Sequence, residues 1–226
     1  MGGGDCRWVA SNRTPTSATS APSRTPAASP RRSAPRSSRT GGPEMPVDPF
    51  GPLSGAVATF DRAVDRRLEP LRANPTANRV LYAASEAGNF SLLWHALAWA
   101  PVALAPTPRR IARAAQVSVA LGVESAVVNG PVKSVFRRER PEVPEGGRPH
   151  RLRAPKTSSF PSGHATAAMV AAAMLGRRSR LSPIYHLAGV VVATSRVHVR
   201  IHHASDVVGG LAIGVVLGRV ARRILR

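Results

Sequence analysis

The sequence predicts an all-α integral membrane bundle of about five spans, entered through an N-terminal amphipathic helix. Three observations lead there. From Val80 onward, apolar runs alternate with arginine-rich breaks. Two of those runs are dense in alanine and glycine, the composition that lets membrane helices approach closely. Ahead of them, Leu53–Leu71 carries apolar residues at three- and four-residue spacing among many charges.

Taken in order, residues 1–44 read as a disordered basic extension. Ser11–Pro43 is built from small, polar, proline and arginine residues without one valine, leucine, isoleucine or aromatic. Such a segment buries too little apolar area to offset the entropy of ordering. It is a poor signal peptide, because Arg31-Arg32 is followed by no apolar run. Chain character changes at Met45, which is read as an alternative start, the preceding stretch then not being translated. The other reading is a genuine basic tail that touches anionic lipid.

Residues 45–78 form the amphipathic region. Leu53, Val57, Phe60, Val64, Leu68 and Leu71 make one stripe, while Asp61, Arg62, Asp65, Arg66, Arg67 and Glu69 fill the remaining surface. The helix is too charged to span and suits an interface or the underside of a bundle. Residues 79–226 hold the candidate spans, near 80–105, 111–132, 163–177, 183–199 and 206–222. Crossing the hydrocarbon takes about 20 residues, so several are short, and Pro101 should kink the first. Gly210, Gly214 and Gly218 follow the small-x-x-x-small spacing. A soluble helical enzyme with alanine-rich core helices is the competing architecture. The mean hydropathy of −0.10 favours it, but the polar first 44 residues dilute that figure.

A formal charge of +20 and a pI near 11.9 suggest a nucleic-acid binder at first sight. The residues argue otherwise. Of 32 basic residues only Lys133 and Lys156 are lysines, and the arginines are scattered among apolar runs without interleaved aromatics. The lone cysteine, Cys6, excludes an intramolecular disulfide and a cysteine zinc site. If the spans alternate, Lys133–Phe160 and Ser195–Asp206 share one face. The other face receives Arg109, Arg110, Arg113, Arg177, Arg178, Arg180, Arg219, Arg222, Arg223 and Arg226 without an acidic neighbour. That marks it as cytoplasmic and places the opposite face outside the cell membrane.

Three stretches of this chain carry chemistry: Lys133–Pro141, Pro161–His164 and Ser195–Asp206. A phosphate ester gathers charge on its equatorial oxygens in the transition state, and fixed cations and backbone donors stabilise it. Lys133, Arg140 and Arg196 fit that need. Lys133 and Arg140 lie seven residues apart, so a helix would bring both to one face before Pro141 stops it. Ser162 and Gly163, after Pro161 and before an apolar helix, offer a hydroxyl and an unobstructed N–H. His164 is then placed to give a proton to the leaving oxygen. His202 and Asp206 are one helical turn apart, so the carboxylate orients Nδ1 and leaves Nε2 to attack phosphorus. His203 in that role fails the four-residue geometry.

These motifs resemble the three-part signature of the type-2 phosphatidic acid phosphatase family, the lipid phosphatases that share a site with vanadium haloperoxidases. The resemblance covers about residues 80–226. It rests on Lys133, Arg140 and Pro141; on Pro161, Ser162, Gly163 and His164; and on Ser195, Arg196, His202 and Asp206. It implies a helical bundle, a phosphohistidine intermediate, and neither metal nor other cofactor. The expected partners are the membrane and an anionic lipid substrate, with no nucleic acid, and oligomeric state stays open. The expected activity is removal of phosphate from a lipid, a polyprenyl phosphate or diphosphate of envelope synthesis in the first instance. Phosphatidic acid and a prenyl-linked phosphoribose are the alternatives. Vanadium-dependent halide oxidation suits larger soluble bundles, and a non-catalytic lipid binder would not need His164, His202 and Asp206 together.

A metal reading of His198, His202 and His203 lacks an acidic ligand in Val197–His203 and faces Arg196 and Arg200. His95, His150 and His186 read as structural. Glu124, nine residues before Lys133 inside the second span, either braces a neighbouring helix or tunes the site from below. Arg137, Arg138, Arg148, Arg151, Arg153 and Lys156 read as a solvated basic rim.

Overall fold

Proline and small polar residues set most of the helix starts. Asn74 accepts from the N–H groups of Thr76 and Ala77 at 3.0 Å each, with Pro75 at the first turn, and so opens a helix one residue after another has ended. Thr107 does the same for Arg110 at 3.2 Å, followed by Pro108. The computed structural model describes residues 49–142 and 157–225. Residues 1–44 with Cys6, the start at Met45, and His150, Arg148, Arg151, Arg153, Lys156 and Arg226 lie outside the described residues.

Among the described residues every regular element is helical: α1 (Ser54–Ala73), α2 (Pro75–Ala87), α3 (Leu92–Leu104), α4 (Pro108–Val127), α5 (Lys133–Val135), α6 (Gly163–Leu175), α7 (Ser182–His198) and α8 (Ala204–Ile224). A π-type turn at Val128–Val132 joins α4 to α5. Two segments are long and apolar enough to cross a membrane, Pro108–Val135 and Ala204–Ile224. The run expected as one span over 80–105 is instead two helices, α2 and α3. Between them Phe90 and Ser91 adopt left-handed φ values of 52° and 57°, which end one helix and redirect the next.

α6 is the axis of the bundle. Every residue from Ala165 to Met174 is buried, the pattern of a helix enclosed on all sides. α4, α7 and α8 surround it. On α8 the glycines lie against α6. A Cβ on Gly210 would meet the Ser162 carbonyl oxygen at 2.6 Å, and on Gly214 the Thr166 carbonyl oxygen at 2.5 Å. A Cβ on Gly218 would meet the Ala173 Cβ at 2.8 Å. The small-residue spacing read from sequence is therefore a contact ridge between backbones.

α1 is helical, with Val64 and Leu68 packed against a cluster of Ala165, Ala193, Val197, Ala204 and Val207, while Phe60 and Leu71 of the same stripe are exposed. Its charges do not all face water. Asp61 is buried against α8, and Arg72 donates to the carbonyls of Val197 and His198 at the end of α7. Chain direction then brings the Pro108 end of α4, the Leu175 end of α6, the Ser182 end of α7 and the Ile224 end of α8 together. There Arg113 donates to the Arg177 carbonyl and Arg177 to the Leu225 carbonyl. Lys133, Gly163, His198 and Ala204 lie at the other end.

Candidate active site

That other end collects all eight candidate residues, though by different local structure than their spacing suggests. Lys133 is buried at the start of α5, where Nζ donates to Asn129 Oδ1 at 2.9 Å. The helix stops two residues later, with Phe136 extended. Arg140 therefore does not share a helical face with Lys133, a correction to the seven-residue expectation. Pro141 disfavours helix in the residue before it, and the Arg138 carbonyl is taken by the Ser159 N–H at 2.8 Å. Extended in this way, Arg140 folds back over the site. It donates to the carbonyls of Ile201, Thr157 and Ser158, and its Nη1 lies 3.4 Å from His202 Nε2.

Ser162 caps α6 by position alone. Its hydroxyl makes no capping bond to the first turn, is buried, and has no hydrogen-bond partner among the described residues. A buried hydroxyl in that condition costs on the order of 1–3 kcal/mol, and the opening N–H groups of a helix also lack intrahelical acceptors. Gly163 sits where a Cβ would lie 3.7 Å from Lys133 Nζ. The turn that opens α6 and the lysine thus lie side by side. His164 follows, within electrostatic reach of Arg196, His202, Lys133 and Arg140. Arg196 is buried on α7 and donates to Ser85 of α2.

His202 precedes α8 rather than riding on it. Its Nδ1 faces the Ser159 carbonyl at 2.8 Å, while Asp206 Oδ2 lies at 3.7 Å. Asp206, expected as the orienting partner of the ring, is therefore not its nearest acceptor: the backbone carbonyl is closer and the carboxylate stands behind it. Asp206 Oδ2 instead accepts from the His203 N–H at 2.8 Å and from the Ser159 hydroxyl. His203 is the residue that caps α8. With Nδ1 the donor, Nε2 carries the lone pair. Burial holds the His202 ring at about 4; Asp206 opposes that shift, and Arg140 and Arg196 add to it.

The site contains residues that sequence did not single out. Arg138, read as solvated rim, pairs with Asp206 at 2.5 Å and with Asp61 at 2.7 Å. Asp61 also accepts from the Ser205 N–H and hydroxyl, both at 2.8 Å. Arg138 is a structural ion-pair partner, because two carboxylates outweigh its place in a charged run. Arg137 is exposed, as a rim residue would be. Asn129 and Ser159 are further additions. Asn89 reaches His164 Nε2 at 3.0 Å from the α2–α3 turn. The other histidines have local partners: Asn78 for His198, Ser118 for His95, and the Ser182 carbonyl for His186. Glu124 is buried on α4, and its Oε1 has no hydrogen-bond partner among the described residues.

Comparison with known proteins places this geometry. The model of the PAP2 superfamily matches residues 113–226. The decaprenylphosphoryl-5-phosphoribose phosphatase of Mycolicibacterium smegmatis is 37% identical over 132 residues, 57% of this chain and 68% of that protein. Its namesake in Mycobacterium tuberculosis is 35% identical over 89 residues, 39% of this chain and 49% of that protein. The transmembrane PAP2-type phosphatidylglycerolphosphate phosphatase from Bacillus subtilis superposes with a TM-score of 0.57 at 23% identity, over 77% of this chain and 91% of that one. Aquifex aeolicus LpxE gives 0.56 at 20%, over 70% and 93%. At these identities the two solved structures are likenesses of fold.

Proposed function

The chain belongs to the PAP2 superfamily and is a phosphatase, and from that premise we propose that it removes phosphate from a polyprenyl-linked lipid, a prenyl phosphoribose in the first instance. The observation that carries the reading is Ser162, a buried hydroxyl without a hydrogen-bond partner among the described residues, at the mouth of a helix whose first residue, Gly163, adjoins Lys133. An oxyanion is the ligand that such a place accommodates. The names of the mycobacterial relatives supply the substrate class.

In the proposed mechanism Lys133, Arg140, Arg196, the Ser162 hydroxyl and the Gly163 N–H hold the phosphate oxygens. His202 is neutral at physiological pH because burial keeps it so. Its Nε2 attacks phosphorus while Ser159 and Asp206 stabilise the charge that appears on the ring. His164 protonates the leaving alcohol. Water then hydrolyses the phosphohistidine. Preorganised charge of this kind is the main resource for phosphoryl transfer.

We further infer a multi-pass bilayer placement with the site on the extracytoplasmic face and residues 54–73 at the interface. Exposed apolar side chains support it: Leu92 and Leu104 on α3, Val119 and Val123 on α4, Ile184 and Leu187 on α7, Val208 and Val216 on α8. The arginine cluster at the opposite end supports its orientation. The test is phosphate release by full-length protein in detergent with chelator present. The panel is a prenyl phosphoribose, a polyprenyl diphosphate and phosphatidic acid, and acid-labile label on histidine is followed in parallel. Release strongest on the prenyl phosphoribose, and abolished with the label in His202→Ala, is expected. Release that persists in His202→Ala would refute the mechanism, and a different rank order would refute the substrate.

A further inference from the structure

The turn between α2 and α3 lies upstream of residues 113–226 and outside all three motifs, yet it touches the site. Three observations converge on it. Asn89 Oδ1 lies 3.0 Å from His164 Nε2. The next two residues, Phe90 and Ser91, both hold left-handed backbone that side chains disfavour, and Phe90 is 73% exposed. Strain of this kind persists where surrounding structure imposes it, and it clusters at functional sites. Gly88, just before, leaves no room for a Cβ, which would lie 2.8 Å from His164 Cδ2 and 2.9 Å from Val192 Cγ1. The backbone is pressed against the histidine ring.

The hydrogen-bond direction is fixed by a fourth residue. An asparagine amide can present either end to a neighbour. Here Asn89 Nδ2 donates to the Glu86 carboxylate at 3.0 Å, and a carboxylate only accepts. Asn89 therefore turns its oxygen to His164, and His164 Nε2 must be the nitrogen that carries hydrogen. We propose that Asn89, oriented by Glu86, is a positioning residue that fixes the His164 tautomer and leaves Nδ1 to deliver the proton to the leaving group.

This rests on the reading of His164 as the acid. As His202 Nε2 bonds to phosphorus, the phosphorus–oxygen bond to the lipid alcohol breaks with its electron pair on oxygen. The imidazolium of His164 gives its Nδ1 proton to that oxygen and is left neutral with Nε2–H on Asn89; the water that later hydrolyses the phosphohistidine returns a proton to Nδ1. Charge on the imidazolium before transfer is steadied through the amide by Glu86. Asn89 itself touches neither phosphate nor leaving group.

General acid catalysis contributes about 10²- to 10⁴-fold and matters most when the leaving group is a poor one. The experiment compares full-length protein and its variants on a short-chain alkyl phosphate and on para-nitrophenyl phosphate, whose leaving group needs little protonation. His164→Ala sets the benchmark by losing the alkyl reaction far more than the aryl one. Asn89→Ala is expected to show the same discrimination at smaller size. Its kcat should fall at least roughly tenfold on the alkyl substrate and about twofold or less on the aryl one, within the range such acids supply, with KM little changed. Glu86→Ala, which removes only the acceptor that orients the amide, should show the same discrimination at smaller size still, and it carries the comparison if Asn89→Ala does not fold. Equal losses on both substrates, or none, with His164→Ala still discriminating, overturn the positioning role. A His164→Ala protein that does not discriminate removes the acid reading first, and the role of Asn89 falls with it.

Discussion

Asp61 is the residue whose removal tests the architecture most directly. It sits on α1, a helix whose charge pattern reads as solvated, and yet it is buried. One oxygen accepts from the Ser205 N–H at 2.8 Å; the other accepts from the Ser205 hydroxyl at 2.8 Å and from Arg138 at 2.7 Å. In Asp61→Ala the buried Ser205 N–H loses its acceptor, which costs about 1–3 kcal/mol. The charge-assisted bond to Arg138 adds about 1.5–3 kcal/mol. Arg138 keeps Asp206, so it is not left as an isolated buried charge, and the total stays near 3–5 kcal/mol, no more than breaking a fully buried pair. For a chain of this size each kcal/mol moves the midpoint by about 2–4 °C, so a shift of at least about 6 °C is expected. Thermal melting in detergent followed by circular dichroism reads it, with Asp61→Asn falling between the variant and wild type. Melting within about 0.5 kcal/mol of wild type, the ordinary result for a surface residue, would refute the burial argument and detach α1 from the site.

Two other outcomes follow from the same structure. Gly214→Ala drives a methyl to 2.5 Å from the Thr166 carbonyl oxygen and 2.8 Å from Met169 Cβ and should cost about 1–3 kcal/mol by overpacking. Gly122→Ala on α4 meets nothing within 4 Å and should gain up to about 1 kcal/mol of helix propensity; equal melting of the two would undo the ridge. His202, held at about 4 in the fold against about 6.5 unfolded, binds fewer protons folded than unfolded between those values. Its contribution is complete above pH 6.5 and is lost as pH falls toward 4. Melting temperature should therefore drop more steeply across that window in wild type than in His202→Asn, and parallel slopes would sink the assignment.

What sequence made legible was whatever repeats at short range. The helices around the site, the glycine ridge of α8 and the residues of the three motifs all announce themselves by local spacing. What it hid is long-range or belongs to the backbone. Arg138 stands in a run of basic residues, and nothing nearby says that its acids come from positions 61 and 206. The Ser159 carbonyl next to His202 has no side-chain identity to read. The break at Gly88-Asn89 sits within an apolar run whose hydropathy reads as one continuous span. The helix expected to join Lys133 and Arg140 failed because a spacing argument assumes the helix it needs, and the chain turns extended at Phe136, with Pro141 keeping Arg140 out of helix as well.

α6 has only 13 residues, about 20 Å of helix at 1.5 Å per residue, against hydrocarbon about 30 Å thick. In the bilayer placement proposed here, with its Leu175 end held near the arginine face, its catalytic end stops well beneath the opposite boundary. In that placement the reaction takes place in a sunken well, and a lipid substrate's phosphate is drawn down to the enzyme while its tail stays level with its neighbours. Such a well sorts molecules by depth as well as by chemistry. A water-soluble phosphate must cross an unfavourable layer to enter, whereas a lipid arriving sideways is already at the correct height. In the same placement membrane thickness becomes a variable of the site, set by the surrounding acyl chains.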